Sequence, residues 1–350
     1  MNSVAHDHGY HALRVIDVVE ETADTRTFVL CVPAEMHNVF AYRPGQFCTV
    51  RVRIDDEDVF RCYSMSSTPQ IDRDLAVTVK RVSGGLVSNW LHDHIGVGGT
   101  LELMRPSGVF GTLAPGEPVV AFCGGSGVTP VFSIVKHVLA TSSVRVKLLC
   151  ANRDRASVIF DDELAQLQGD HPDRIEVWHH LDADGGFLQP DQVTKFVEGS
   201  TDAQMLICGP GPFMDLVEQV LLGVGVQPER IAIERFGVDS QESGGADLDD
   251  ITRDNSTQTL TLTLTLKGQR HVLDYTAGDT ILDAARRGGL KPPYSCELGN
   301  CASCMAHISE GSARMRVNNA LDPDEIADGW VLTCQALPQG RSVTVEYENA

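Results

Sequence analysis

The stretch Pro293–Cys304, PYSCELGNCASC, decides how the rest of the chain is read. Cys296, Cys301 and Cys304 stand in the order C-x4-C-x2-C, and Cys334 follows well downstream in VLTCQ. In this spacing three thiolates from one loop and a fourth from elsewhere in the fold hold a [2Fe-2S] cluster. Gly299, Ala302 and Ser303 are small, so backbone N–H groups can approach the inorganic sulfides. A zinc site would more often show two paired C-x2-C knuckles. Disulfides are not expected, because the first residues, MNSVAHDHGYHALRV, show no basic segment followed by an apolar one.

Working outward, 350 residues are too many for one cluster-binding domain, and two or three domains are expected. An apolar fraction of 42% suits ordinary globular cores. No run approaches the roughly 18 apolar residues that span a bilayer, so a cytoplasmic chain without a membrane segment is expected. The formal net charge of −20 repels phosphate backbones and anionic lipid, which excludes nucleic acid as a partner. A monomer is expected, and its acidic surface can steer docking to a basic patch on another protein. The remaining cysteines, Cys31, Cys48, Cys62, Cys123, Cys150 and Cys208, lie inside apolar runs and read as small buried hydrophobes with no chemistry assigned.

Before the cluster stretch the chain divides by periodicity. From Leu13 it reads as short strands: HALRVIDVVEE, TRTFVLCV, FCTVRVRI after the Pro44–Gly45 turn, LAVTVKRV and TLELMRPSG. Their close spacing predicts an antiparallel barrel. Within it, RCYSMSS carries Arg61 and Tyr63 on one strand face and Ser64 on the other. An Arg can clamp a phosphate, a Tyr can stack on a planar ring, and a Ser hydroxyl can bond a ring nitrogen. Downstream, Gly84 and Gly85 open a turn into a short helix with Ser88 near its start, a ready pyrophosphate site. His92 and His94 read as surface positions, and His6, His8 and His11 as part of a mobile tail.

After Pro118 a strand, a glycine-rich turn and an amphipathic helix follow in VVAFC, GGSGVTP and VFSIVKHVLA. The strands VRVKLLCANR, IEVWHHLD, MLICGPGPF and RIAIERF complete a parallel α/β pattern. Ligands in such sheets sit at the carboxyl ends of strands, where Gly124, Gly125 and Gly127 mark one end and Cys208, Gly209 and Pro210 another. The turn is not the G-x-G-x-x-G fingerprint. His179 and His180 read as ordinary strand-end residues. The segment 237–256, with six acidic residues and three glycines, has a linker composition. Beyond it, a hairpin, a helix and a closing strand RSVTVEYE predict a small α+β domain.

The last region, from about Thr257, resembles the plant-type ferredoxins, whose β-grasp fold the mixed strand and helix order suits. Arg61 with Tyr63 and Ser64, the GGLVSNWL turn, GGSGVTP and the downstream CGP together resemble the ferredoxin-NADP reductase superfamily. The expected architecture is therefore multidomain: a flavin-binding barrel (9–114), an α/β nucleotide domain (115–236), a linker (237–256) and a ferredoxin domain (257–350). The resemblance implies that Arg61 and Ser88, with the Gly85 turn, hold the FAD pyrophosphate. It also implies that Tyr63 packs on the isoalloxazine, that Ser64 lies near its N5, and that the backbone of Thr78, Val79 and Lys80 meets the ring's polar edge. Gly124, Gly125, Gly127 and Thr129 would pass beside dinucleotide and flavin. Cys208, Gly209, Pro210 and Phe213 would flank the nicotinamide, and Phe236 would lie near flavin and nicotinamide. Ser64, Thr129, Cys208 and Phe236 are the implied catalytic set.

The same order of domains occurs in reductase components of multicomponent oxygenases. RCYSMSSTP, TVKRVSGGLVSNWL and YSCELGNCASC resemble the 3-ketosteroid 9α-hydroxylase reductases, which implies steroid breakdown; phenylacetyl-CoA epoxidase reductases and those of ring-hydroxylating oxygenases are the alternatives. The implied partner is a terminal oxygenase, Rieske-type or di-iron. NADH is the preferred donor, with NADPH open because Arg153 and Arg155 flank Asp154 after the second strand of the sheet. A redox-sensing module without turnover is the reading from another class, and the nicotinamide motifs argue against it.

Overall fold

In a computed structural model, residues 9–236 and 261–347 are described. The expected linker, the first four residues of the expected ferredoxin domain, and His6 and His8 lie outside the described residues. The first unit comprises β1 (Tyr10–Thr22), β2 (Thr25–Cys31), β3 (Phe47–Ile54), β4 (Glu57–Ser64), β5 (Leu75–Lys80), α1 (Leu86–His94) and β6 (Thr100–Met104). These strands form an antiparallel sheet in the order β4-β3-β6-β1-β2-β5. A bridge between Met65 and Val77 and a 2.9 Å bond from the Ser66 N–H to the Ala76 carbonyl join its two edges into a barrel. Alternate residues Leu13 and Val15, Phe28 and Leu30, Cys48 and Val50, Val77 and Val79, and Leu101 and Leu103 are all fully buried. Each such side chain contributes about 1.5–3 kcal/mol on burial.

Two histidine readings are corrected. His11 belongs to β1, opposite Leu103, with its ring beside Phe40. His92 is buried at 6% exposure and its Nε2 bonds the Val79 carbonyl at 2.8 Å, because α1 turns this side toward the barrel. Burial holds its pKa below the ordinary value.

The second unit runs β7 (Val119–Gly124), α2 (Val128–Thr141), β8 (Val146–Asn152), α3 (Asp161–Asp170), β9 (Ile175–Leu181), α4 (Asp182–Gly185), α5 (Pro190–Val197), β10 (Gln204–Cys208), α6 (Gly211–Gly223) and β11 (Ile231–Glu234). Its parallel sheet has the order β11-β10-β7-β8-β9. The order reverses between β7 and β10, the switch point at which open α/β sheets bind ligands. Phe110, from within the range expected for the barrel domain, packs into this unit's core beside Ile134.

The third unit comprises β12 (Thr261–Leu266), β13 (Gln269–Leu273), α7 (Ile281–Arg287), β14 (Met305–Met315), α8 (Pro323–Ala327), β15 (Trp330–Leu332) and β16 (Ala336–Glu346), with sheet order β13-β12-β16-β14-β15. Lys267 and Gly268 turn the β12–β13 hairpin with positive φ at both positions, the pairing that matches strand twist. Thr280 caps α7 through a reciprocal bond with Asp283. Tyr10 and Met104 of the barrel join Leu282, Ala302, Cys304 and Leu332 in one apolar cluster, so the third unit is seated on the barrel's outer face.

Candidate functional site

The cysteine loop is shaped by backbone rather than by regular structure. Glu297, Gly299 and Ala302 all have positive φ, and a Cβ on Gly299 would fall 2.8 Å from the Val317 carbonyl oxygen. This winding turns the N–H groups of Leu298 and Asn300 onto the Cys296 sulfur, each at 3.4 Å, and the Cys296 N–H onto the Cys301 sulfur at 3.4 Å. The thiols interact in two pairs, Cys296 with Cys301 and Cys304 with Cys334. Two such pairs suit two irons, each taking two thiolates, so the donor set fits a [2Fe-2S] cluster.

At the switch point the two glycine turns are in contact. A Cβ on Gly127 would lie 2.1 Å from the Cys208 carbonyl oxygen, one on Gly209 2.9 Å from the Gly124 nitrogen, and one on Gly124 2.8 Å from Pro210 Cδ. Gly125 has φ +52° and faces the Lys80 ammonium. The result is a groove floor made of backbone, in which Thr129 is 2% exposed and its Oγ1 has no hydrogen-bond partner. A buried hydroxyl is normally bonded. The bare floor and the unused hydroxyl fit a dinucleotide. Phe213 flanks the Gly124 and Gly209 contacts.

The barrel residues divide. Arg61 and Ser64 line a cleft with Glu234, Phe236, Cys296 and Leu298, which joins barrel, nucleotide unit and cluster loop. Tyr63 packs against the barrel core. Ser88 is buried and its Oγ accepts the Val82 N–H at 3.1 Å, while Gly85 precedes α1. The Thr78 hydroxyl is tied to Thr27 and Ser66, and the Val79 carbonyl to His92. Cys208 is fully buried beside Glu234, whose carboxyl is pushed up to about 7 by burial.

Residues 12–111 match the model of an oxidoreductase FAD-binding domain, 122–219 that of an oxidoreductase NAD-binding domain, and 264–339 that of a 2Fe-2S iron-sulfur cluster binding domain. The chain belongs to the ferredoxin-NADP reductase superfamily, in the branch with a fused C-terminal [2Fe-2S] domain. It is 40% identical, over 99% of its own length and 100% of the relative's, to the 3-ketosteroid-9-alpha-monooxygenase ferredoxin reductase component of Rhodococcus rhodochrous. A 1,2-phenylacetyl-CoA epoxidase component of Escherichia coli K12 is 32% identical, with 97% of this chain and 98% of that one covered. The fold is that of phthalate dioxygenase reductase, at TM-score 0.60 and 22% identity, covering 99% of this chain and 100% of that one. This reductase therefore binds FAD, NADH and a [2Fe-2S] cluster and transfers electrons between them. Among its described residues no helix is long and apolar enough to cross a membrane.

One residue of the junction carried no chemistry in the sequence reading. Cys62, set among apolar runs, is half-buried in the cleft and its Sγ lies 3.2 Å from Ser295 Oγ, next to Cys296 of the cysteine loop. The signal was there in part: a period of two places Cys62 on the same strand face as Ser64.

Glu234 makes the site pH-sensitive in a defined sense. Its folded pKa, about 7, lies above the ordinary 4.5, so its contribution to stability is complete below pH 4.5 and is lost as pH rises through 7. The shift bounds the effect at about 3 kcal/mol, less whatever solvent screens. Glu21 is pushed up to about 7 in the same way. Glu234→Gln is expected to flatten, by roughly half, the fall in Tm between pH 5 and 8. An unchanged slope in thermal melts would show that Glu234 titrates normally.

Proposed function

We propose that this reductase takes electrons from NADH and delivers them to the terminal oxygenase of a 3-ketosteroid 9α-hydroxylase, a cytoplasmic, monomeric component of steroid breakdown. The observation that carries the electron path is the cleft shared by Arg61 and Ser64, by Glu234 and Phe236, and by the cluster ligand Cys296. The steroid assignment rests on the relative 40% identical over its whole length. When bound, FAD accepts a hydride and releases electrons singly, which is what a cluster can take up.

The chain's own groups arrange that exchange. Arg61 supplies cationic charge for the FAD pyrophosphate and Tyr63, packed against the barrel core, a ring face for the isoalloxazine, with Gly85, Ser88 and the Thr78–Lys80 backbone bordering the same ligand. Gly124, Gly125 and Gly127 let the nicotinamide approach, Thr129 offers its hydroxyl, and Cys208, Gly209, Pro210 and Phe213 form the opposite wall. Phe236, 37% exposed, covers the cleft and excludes water until the nicotinamide takes its place. Cys296, Cys301, Cys304 and Cys334 hold the cluster. NADH is favoured over NADPH because the cations after β8 are already engaged: Arg153 with Asp24 at 3.1 Å and Arg155 with Asp161 at 2.8 Å. A 2′-phosphate would have to displace a carboxylate from one of them.

The test is reconstitution with oxygenase components of both the Rieske and the di-iron type, following substrate hydroxylation. Steroid 9α-hydroxylation is expected; epoxidation of phenylacetyl-CoA alone would favour the second relative's activity. With a net charge of −20, coupled turnover is expected to slow as salt rises and the Debye length falls to about 8 Å at 0.15 M. NADH–ferricyanide turnover, which needs no protein docking, should change much less. A coupled rate flat in salt would remove electrostatic steering from the proposal.

A further inference from the structure

We infer that Asp24 of the flavin barrel is a specificity-determining residue for the coenzyme: it holds Arg153 of the nucleotide unit in an ion pair and so withholds that cation from the 2′-phosphate of NADPH. The inference rests on the NADH reading above and adds the residue that enforces it. Asp24 stands in the turn between β1 and β2, and its carboxylate is fixed from its own side. Thr22 Oγ1 donates to Oδ1 at 2.8 Å and Thr25 Oγ1 to the same oxygen at 3.1 Å, with Lys80 Nζ 3.8 Å away. The other oxygen, Oδ2, takes Arg153 at 3.1 Å, a contact between residues 129 apart in the chain.

Arg153 stands where a 2′-phosphate is read. β8 lies beside β7, whose end carries the glycine turn at the switch point, and Arg153 is the first residue after β8. In open α/β sheets the pyrophosphate sits at the first strand's turn and the adenosine ribose reaches the next strand's end. There a carboxylate favours a 2′-hydroxyl and an arginine a 2′-phosphate. Asp154 is committed elsewhere, its Oδ1 accepting the Ser157 N–H at 2.9 Å, and Arg155 is held by Asp161 of α3 at 2.8 Å. That leaves the Arg153–Asp24 pair to discriminate, with the Arg153 side chain 67% exposed and its backbone carbonyl held by the Ala183 N–H at 2.9 Å. The pair as a whole is neutral. A 2′-phosphate gives up water there without gaining a free cation and meets the Asp24 carboxylate, whereas a 2′-hydroxyl can donate to it. An exposed ion pair contributes little to stability, so its replacement acts on selectivity and not on folding. Lys80, the other cation on Asp24, faces the Gly125 turn, where the pyrophosphate common to both coenzymes passes, so its release affects the two alike.

The experiment compares kcat/KM for NADH and NADPH by ferricyanide turnover of the full-length holoprotein, with FAD and iron contents checked in each variant. Wild type is expected to prefer NADH. Asp24→Asn keeps the side chain's size and its bonds from the two threonines but makes the pair cationic. It should raise the NADPH-to-NADH ratio about tenfold, the equivalent of one charge-assisted hydrogen bond, through KM for NADPH and not kcat. Arg153→Gln leaves the carboxylate uncompensated and should lower the ratio. The double variant, neutral again, should return close to wild type. A wild-type ratio in Asp24→Asn would overturn the inference. So would the full gain persisting in the double variant, because Arg153 would then not be the cation released. Equal slowing with both coenzymes would also overturn it, since that marks a turn residue with a structural role alone. A wild type that prefers NADPH would instead end the NADH reading itself, and this inference with it.

Discussion

Cys301→Ser is expected to take iron from about two atoms per chain to near zero, with acid-labile sulfide lost in parallel. Cys301 is 1% exposed in the cluster loop, and a serine hydroxyl is a harder, poorer ligand for iron than the thiolate it would replace. NADH should still reduce the flavin, since every residue of the glycine groove and of the barrel mouth precedes the cluster domain in the chain. Ferricyanide turnover is therefore expected to persist while oxygenase-coupled turnover falls to background. Stopped-flow absorbance separates the two outcomes. Loss of flavin reduction in this variant would show that the third unit, through the Tyr10–Met104 contact, is needed to keep the barrel in working form.

The second large effect is expected from Gly127→Ala. The added methyl would stand 2.1 Å from the Cys208 carbonyl oxygen, 2.4 Å from its carbonyl carbon and 2.7 Å from the Gly209 nitrogen, all of them backbone atoms. Nothing flexible is available to move, so the two turns must part. Gly127 itself has an ordinary φ of −61°, which means that close approach and not backbone freedom requires glycine there. A displacement of about 1 Å in a reactant-positioning element can cost a hundredfold in rate, and the packing conflict about 1–3 kcal/mol in stability. The expected result is a fall of at least tenfold in the rate of flavin reduction by NADH, with FAD and iron contents retained. A wild-type rate would place the nicotinamide elsewhere than the β7–β10 switch point.

By its sequence alone, the chain already specified its ligands and its order of domains. The C-x4-C-x2-C loop, the R-x-Y-S run and the two glycine turns each concentrate their chemistry within a few residues, and chemistry at that range depends on local spacing alone. The strands were legible for the same reason, through a period of two in the barrel and apolar runs in the parallel sheet. Folding added the contacts between such pieces. Cys62 and Ser295 are 233 residues apart in the chain, and Thr49 and Ser303 are 254 apart. No periodicity reaches so far, so a thiol that looked like a core residue became one of the contacts between flavin barrel and cysteine loop. His92 went the other way, from an expected surface position to a buried bond with Val79, because the face a short helix turns inward depends on what it packs against. The pairing of Arg153 with Asp24 and Arg155 with Asp161, which bears on NADH against NADPH, likewise needed the barrel and α3 brought alongside the end of β8.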